Sequence, residues 1–186
     1  MQLAKVELRR ELLQKGSEQY TSRCDVNKDK LILKNLLSLR EFQESGFILT
    51  YISTENEIDT HELISNCLRL KKQAAVPRVE GSELAFYEIN SFFELEKGKF
   101  GILEPVKTCK KAQINKNTLC VVPALACNEN GFRLGYGKGF YDRFLCDFPG
   151  KSVVLCYSGN MIELPVEPHD VAADIVITEG GVFHRR

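Results

Sequence analysis

The chain has 186 residues, 44% hydrophobic and 27% charged, with 25 basic and 25 acidic side chains. That size and balance suit one globular domain with a sizeable core and exclude wholesale disorder. Zero net charge gives no argument for nucleic acid, and no apolar run approaches the ~20 residues of a membrane-spanning helix.

In chain order, residues 2 to about 20 set Leu3, Val6, Leu12 and Leu13 among charged and amide side chains, which predicts an amphipathic helix ending near Gly16 or a little beyond. Its charged start lacks the hydrophobic stretch of a signal peptide, so a soluble, cytoplasmic protein is expected. Lys5 and Arg9 are four apart and share a helical face. That face is a solvated one unless the helix borders an anion site. Asp25 is placed to cap a second helix, 26–42, with Leu31, Ile32, Leu36, Leu37 and Leu39 toward the core. Residues 47–53, rich in β-branched and aromatic types, predict a buried strand. Thr60 is expected to cap a third helix, 61–72. Residues 74–79 and 84–89, joined through Gly81-Ser82, predict a hairpin with Pro77 at a strand end or an edge. The stretch 90–111 is irregular. Further strands are predicted at 119–123, 152–157 and 174–178, the last followed by a basic tail. Alternating strands and helices argue for an α/β fold: a single three-layer domain over 1–186, its mostly parallel central sheet flanked by helices.

The seven cysteines, at 24, 67, 109, 120, 127, 146 and 156, form no CxxC pair, so neither a zinc ribbon nor a disulfide framework is suggested. Cys120 and Cys156 sit in apolar runs and act as small hydrophobes. A nucleophilic cysteine would want a histidine close by, and no Cys-His motif is present.

The most informative stretch is Asn128-Glu-Asn-Gly-Phe-Arg-Leu-Gly-Tyr-Gly-Lys-Gly-Phe-Tyr-Asp-Arg143, between an apolar run and a predicted helix at 139–147. Asn130-Gly131 is a turn signal. Gly135, Gly137 and Gly139 alternate, and Arg133, Lys138 and Arg143 supply positive charge. A glycine loop at a helix start lets backbone N–H groups approach an anion, and basic groups on it suit a polyphosphate. It is not a P-loop, since Gly139 follows Lys138 where Ser or Thr is required. Nor is it the dinucleotide fingerprint, whose third glycine comes one residue later. Pattern alone leaves the substrate open.

These residues resemble the signature of the 5-formyltetrahydrofolate cyclo-ligase family. The resemblance extends to Lys5-Val-Glu-Leu-Arg9, Tyr51-Ile-Ser-Thr-Glu-Asn-Glu-Ile-Asp-Thr60, Pro77-Arg-Val79, Gly101-Ile-Leu-Glu-Pro105, His169-Asp170 and Asp174-Ile-Val-Ile-Thr-Glu179, in order along nearly the whole chain. It implies an enzyme that uses ATP and Mg²⁺ to convert 5-formyltetrahydrofolate to 5,10-methenyltetrahydrofolate through a phosphorylated formyl intermediate. A non-catalytic ATP- or phosphate-binding module and a different ATP-dependent ligase or kinase are the alternatives.

Roles follow from the resemblance. Lys5 and Arg9 would contact ATP. Arg133, Leu134, Gly135, Tyr136, Gly137, Lys138, Gly139, Phe140 and Tyr141 would wrap its phosphates, with Lys138 and Arg133 stabilising the transferred group. Asp142, with Asp174 as a second candidate, would bind Mg²⁺. Glu57 would accept the pterin's paired N–H donors, and Ile52, Tyr136 and Phe140 would pack on the folate's flat rings. Many members have Gly in place of Lys138, and Tyr is frequent in place of Phe140. His169 is expected to be structural. Folate glutamate tails imply a basic rim that no residue is assigned to, and a monomer is expected.

Overall fold

A computed structural model describes residues 2–19, 25–98 and 101–185. Cys24 and the side chain of Leu3 lie outside the described residues. Five helices are described: α1 (Gln2–Gln19), α2 (Val26–Ser38), α3 (Arg40–Glu44), α4 (His61–Arg69) and α5 (Phe140–Cys146). The strands are β1 (Phe47–Leu49), β2 (Gln73–Glu80), β3 (Glu83–Ile89), β4 (Leu95–Lys97), β5 (Leu103–Pro105), β6 (Thr118–Val122), β7 (Ala126–Cys127), β8 (Arg133–Leu134), β9 (Lys151–Leu155), β10 (Ile175–Thr178) and β11 (Gly181–His184).

Seven strands form the central sheet in the order β11-β10-β9-β6-β1-β2-β3. The inner pairings are parallel, and an antiparallel hairpin closes each edge. Side chains alternate across a strand, so each inner strand buries two faces. Leu119, Val121, Val153, Leu155, Ile175 and Ile177 pack with Ile32, Leu36 and Leu63 of α2 and α4. Their neighbours Cys120, Val122, Val154, Cys156 and Val176 pack on the opposite side, with Leu145 of α5 and Phe86 of β3. Two such cores against one sheet make the three layers that the alternation of elements implies.

Several expected boundaries shift. The helix expected at 26–42 breaks at Leu39, which is extended (φ −64°, ψ 134°). No glycine or proline marks the break; the turn brings both Leu39 and Phe42 into the core. Asp25 caps α2 as expected, its carboxylate accepting from the Asn27 and Lys28 N–H groups. Thr60 does not cap α4 through its side chain. The Asp59 carboxylate accepts from the His61 N–H instead, at 2.9 Å. Pro77 lies inside β2, opposite Phe86. There β1 has already ended at the Leu49–Ala75 pair, so the missing N–H interrupts no inner ladder. In the segment that follows β10, Gly181–His184 pairs back with it as an edge strand. The irregular 90–111 region contains the small antiparallel sheet of β4 and β5.

The largest surprise is α1. Val6 and Leu13 are exposed while Lys5 is 5% exposed, the reverse of an amphipathic helix seated on a core. The face with Lys5 and Arg9 borders a cavity instead.

Candidate active site

The chain passes from β1 to β2 through α4, while β6 lies on the other side of β1. Strand order therefore reverses between β1 and β6, and the crevice outside their carboxyl ends is the usual ligand position in such sheets. A cavity of about 570 Å³ opens there, lined by residues from α1, the segment after β1, the β2–β3 hairpin, β5, the glycine loop and the loop before β10.

The segment after β1 is held by its own polar groups. The Tyr51 hydroxyl donates to the Ile58 carbonyl at 2.9 Å. Thr60 Oγ1, fully buried, donates to the Tyr51 carbonyl at 2.7 Å and accepts from the Ser53 N–H at 3.0 Å. This bracing fixes Glu57 at the cavity, where its Oε2 accepts from the Thr54 N–H and hydroxyl, both at 2.9 Å. Ile52 lines the wall beside it.

After β6 the chain makes the β7–β8 hairpin that the Asn130-Gly131 signal predicts. Asn128 Oδ1 accepts from the N–H groups of Asn130 and Phe132 and shapes the turn. The glycine loop follows. Gly137 and Gly139 have φ of +88° and +65°, a conformation that side-chain-bearing residues rarely adopt. α5 has seven residues, fewer than the expected 139–147. What the loop offers an anion is therefore backbone N–H groups and nearby cations rather than a long helix dipole.

Arg9 and Lys5 of α1 both reach this cavity, so the helix does border the loop. Arg9 Nε donates to the Gly135 carbonyl at 2.8 Å. The lysine is engaged otherwise than expected. Its Nζ lies 2.9 Å from Glu167 Oε2 and 2.8 and 2.5 Å from the two Asp170 oxygens. Burial opposes its charge, but the hydrogen bonds to Asp170 and Glu167 prevail and raise its pKa. Burial likewise opposes the Asp170 carboxylate, and the Lys5 ammonium and the Glu167 N–H together hold it below its ordinary value. His169, largely exposed, stands beside the same carboxylates.

Arg133 is a buried cation, with 3% of its side chain exposed. Its Nη1 donates to the Val171 carbonyl at 2.6 Å and its Nη2 to Asp142 Oδ1 at 3.1 Å. Asp142 Oδ1 also accepts from the Val171 N–H at 3.2 Å. This trio ties α5 and β8 to the loop before β10. Lys138, by contrast, is exposed at the loop tip. Arg143 does not line the cavity; its guanidinium donates to the Ser82 carbonyl and anchors α5 to the β2–β3 turn.

The structure brings Lys5, Arg9, Ile52, Glu57, Arg133, Gly135, Tyr136, Gly137, Lys138, Gly139, Phe140, Tyr141 and Asp142 around one cavity. Leu134 lies just beneath it, 1% exposed. Asp174 is apart and does not line the cavity. It precedes β10 at the amino ends of the parallel strands, the opposite edge from the residues that follow β1 and β6. Its oxygens accept from Lys151 Nζ at 2.9 Å and from the Ser152 N–H and hydroxyl at 2.9 and 3.0 Å.

Three carboxylates at the cavity had no assigned role: Glu104, Glu167 and Asp170. Glu104 belongs to an apolar wall of Pro77, Val79, Leu84, Ile102 and Leu103. Its signal was the segment Gly101-Ile-Leu-Glu-Pro105, and that of the Lys5 partners was Glu167-Pro-His-Asp170. The second segment does not disclose its partner, because the contacts with Lys5 span more than 160 positions.

The chain and its fold are similar to known proteins. The profile of the 5-formyltetrahydrofolate cyclo-ligase family matches residues 1–179. The mitochondrial 5-formyltetrahydrofolate cyclo-ligase of Arabidopsis thaliana is 29% identical, over 83% of this chain and 66% of its own length. A probable 5-formyltetrahydrofolate cyclo-ligase of Caenorhabditis elegans is also 29% identical, over 91% of this chain and 88% of its own. Among solved structures, the 5,10-methenyltetrahydrofolate synthetase of Aquifex aeolicus superposes with a TM-score of 0.83 at 33% identity, covering 98% of this chain and 93% of that one. The Mycoplasma pneumoniae enzyme of the same name, at 21% identity and a TM-score of 0.71, shares the fold. The chain belongs to the 5-formyltetrahydrofolate cyclo-ligase family.

Proposed function

We propose that the protein cyclises 5-formyltetrahydrofolate to 5,10-methenyltetrahydrofolate, converting ATP to ADP and phosphate. The observation that carries the proposal is the convergence of Arg9, the glycine loop and Glu57 on one cavity at the sheet's switch point. One side offers cations and backbone N–H groups for phosphates; the other offers apolar walls and a carboxylate for a flat heterocycle.

A formyl amide oxygen is a poor leaving group. Transfer of the γ-phosphoryl group to it gives an imidate phosphate. N10 of the folate then attacks the formyl carbon, phosphate departs with the C–O electrons, and the N10 proton is lost. The protein's contribution is positioning and charge stabilisation. Lys138 and Arg9 face the phosphates. Arg133 holds Asp142 and the Val171 segment in place and adds fixed positive potential at the cavity. Glu57 orients the pterin through its paired N–H groups.

Mg²⁺ fits the donor set. Asp142 places a carboxylate at the cavity with Oδ1 taken by Arg133 and Val171, leaving Oδ2 for a hard cation. When bound there with ATP, the ion supplies neutralisation of phosphate charge. Asp174, on the other edge of the sheet, is left out of this set. A monomer in the cytoplasm is part of the proposal; among the described residues no helix is long and apolar enough to cross a membrane.

The test is incubation with 5-formyltetrahydrofolate, ATP and Mg²⁺, following the methenyl chromophore and ADP together. ADP formed only with folate present, in step with the chromophore, is expected. Nucleotide binding without either product would support the non-catalytic alternative.

A further inference from the structure

Tyr141 lines the cavity between the glycine loop and Asp142. Its ring packs with the apolar cluster that contains Cys120 and Leu145. Among the described side chains, its hydroxyl is the buried polar atom that has no hydrogen-bond partner. The other tyrosine on this floor, Tyr51, has one, in the Ile58 carbonyl. A tyrosine hydroxyl is a neutral O–H donor at neutral pH.

A buried donor without an acceptor is a standing cost in the free protein. Phenylalanine would fill the same space without that cost. The hydroxyl is accounted for if a ligand supplies the acceptor. Two ligands share this cavity in the proposed reaction, and they differ in what they need. Triphosphate oxygens are charged and face the cations and N–H groups of the loop. The pteridine has an alternating edge: paired N–H donors, then the C4 carbonyl, with the formyl oxygen on N5 beside it. A carboxylate suits the first and a neutral donor the second. Glu57 and Tyr141 line the same cavity.

We propose that the Tyr141 hydroxyl donates to a carbonyl oxygen of the folate, next to the edge taken by Glu57, and not to the nucleotide phosphates. This deepens the proposed function and rests on it. It also departs from the assignment of Tyr141 to ATP that the family resemblance implies.

The test is Tyr141→Phe, with three readouts: melting of the unliganded protein, the Kd for 5-formyltetrahydrofolate without ATP, and the Kd for ATP with Mg²⁺. Losing an unpaired hydroxyl should leave Tm unchanged or raise it by up to about 5 °C. Losing one neutral hydrogen bond should raise the folate Kd about five- to tenfold. ATP affinity should not change. The same folate loss with tetrahydrofolate would place the acceptor at the C4 carbonyl, and a loss confined to the 5-formyl compound would place it at the formyl oxygen. Unchanged folate affinity overturns the proposal, as does a lowered Tm with folate binding intact or a selective ATP defect. If wild type forms methenyl product while the variant binds folate equally well, only this inference falls. If wild type neither binds nor converts 5-formyltetrahydrofolate, the proposed function falls with it.

Discussion

Replacing Asp142 with Ala would do two things that the sequence alone does not separate. It removes the proposed Mg²⁺ ligand, and it strips a buried cation of its counter-charge. The Arg133 side chain is 3% exposed and that of Asp142 is 25% exposed. Breaking a buried pair from one side costs about 3–5 kcal/mol. The partial exposure of Asp142, and the Val171 carbonyl that still accepts from Arg133, favour the low end, about 3 kcal/mol. For a chain of this length that is a Tm drop of about 6–12 °C. Asp142→Asn keeps an oxygen acceptor for Arg133 and the Val171 N–H, so about 1 kcal/mol and a drop of about 2–4 °C are expected. Both variants should lose at least about 100-fold in methenyl formation, since neither retains the charge of the proposed Mg²⁺ ligand. Differential scanning calorimetry with steady-state rates over a Mg²⁺ series separates the two effects. Asp142→Ala melting with wild type would refute the structural half. Asp142→Asn keeping the wild-type rate and Mg²⁺ dependence would refute the metal half.

Glu57→Gln exchanges an acceptor pair for a group that offers a donor, and should raise the KM for 5-formyltetrahydrofolate about tenfold or more with little change for ATP; a selective ATP defect would contradict the assignment. Thr60→Val removes the hydroxyl that bridges Tyr51 and Ser53 while conserving shape, leaving the Ser53 N–H without its acceptor and the Tyr51 carbonyl with only the longer bond from the Thr50 hydroxyl. It should cost about 1–3 kcal/mol by denaturant unfolding and raise the folate KM, whereas wild-type stability would show that the bracing is unimportant. Lys5→Met leaves Glu167 and Asp170 facing each other, and α1 should open to let them hydrate. At about 3 kcal/mol, hydrogen exchange of α1 amides should quicken about 100-fold while the central sheet stays protected; unchanged α1 exchange would show that Lys5 does not hold the helix. The same contact sets a pH window. The Asp170 pKa is depressed on folding, so its contribution is complete above the ordinary aspartate value of about 3.9 and is lost as pH falls through the lower folded value. The Lys5 pKa is raised, so its contribution is complete below about 10.4 and is lost above the folded value. Protection of α1 should therefore be flat across neutral pH and fall at both extremes.

Local chemistry was legible at several points where the deciding partner lies close in sequence, though not at the α4 cap, where Asp59 acts in place of Thr60. The Asp25 cap, the Asn130-Gly131 hairpin and the left-handed glycines of the loop depend on neighbours within a few residues. The sheet followed from strand–helix alternation and uninterrupted apolar runs. Most of what escaped depends on contacts beyond the immediate neighbours. Lys5 meets Glu167 and Asp170 more than 160 positions away, so its capture by carboxylates left no local trace. Arg143 belongs to the loop's basic cluster in sequence, yet its geometry takes it to Ser82. Thr60 has the chemistry of a helix cap, but a buried tertiary role outcompetes it. Asp174 resembles a metal ligand in sequence, yet strand direction puts it on the far edge of the sheet from the cavity.

The central claim is that one cavity couples ATP cleavage to folate ring closure. Its most direct test follows the methenyl chromophore and ADP in one reaction of purified protein with 5-formyltetrahydrofolate, ATP and Mg²⁺. Equal amounts of both products, each dependent on all three components, are predicted. ADP formation that proceeds equally without folate, or folded protein that yields no chromophore, would contradict the account.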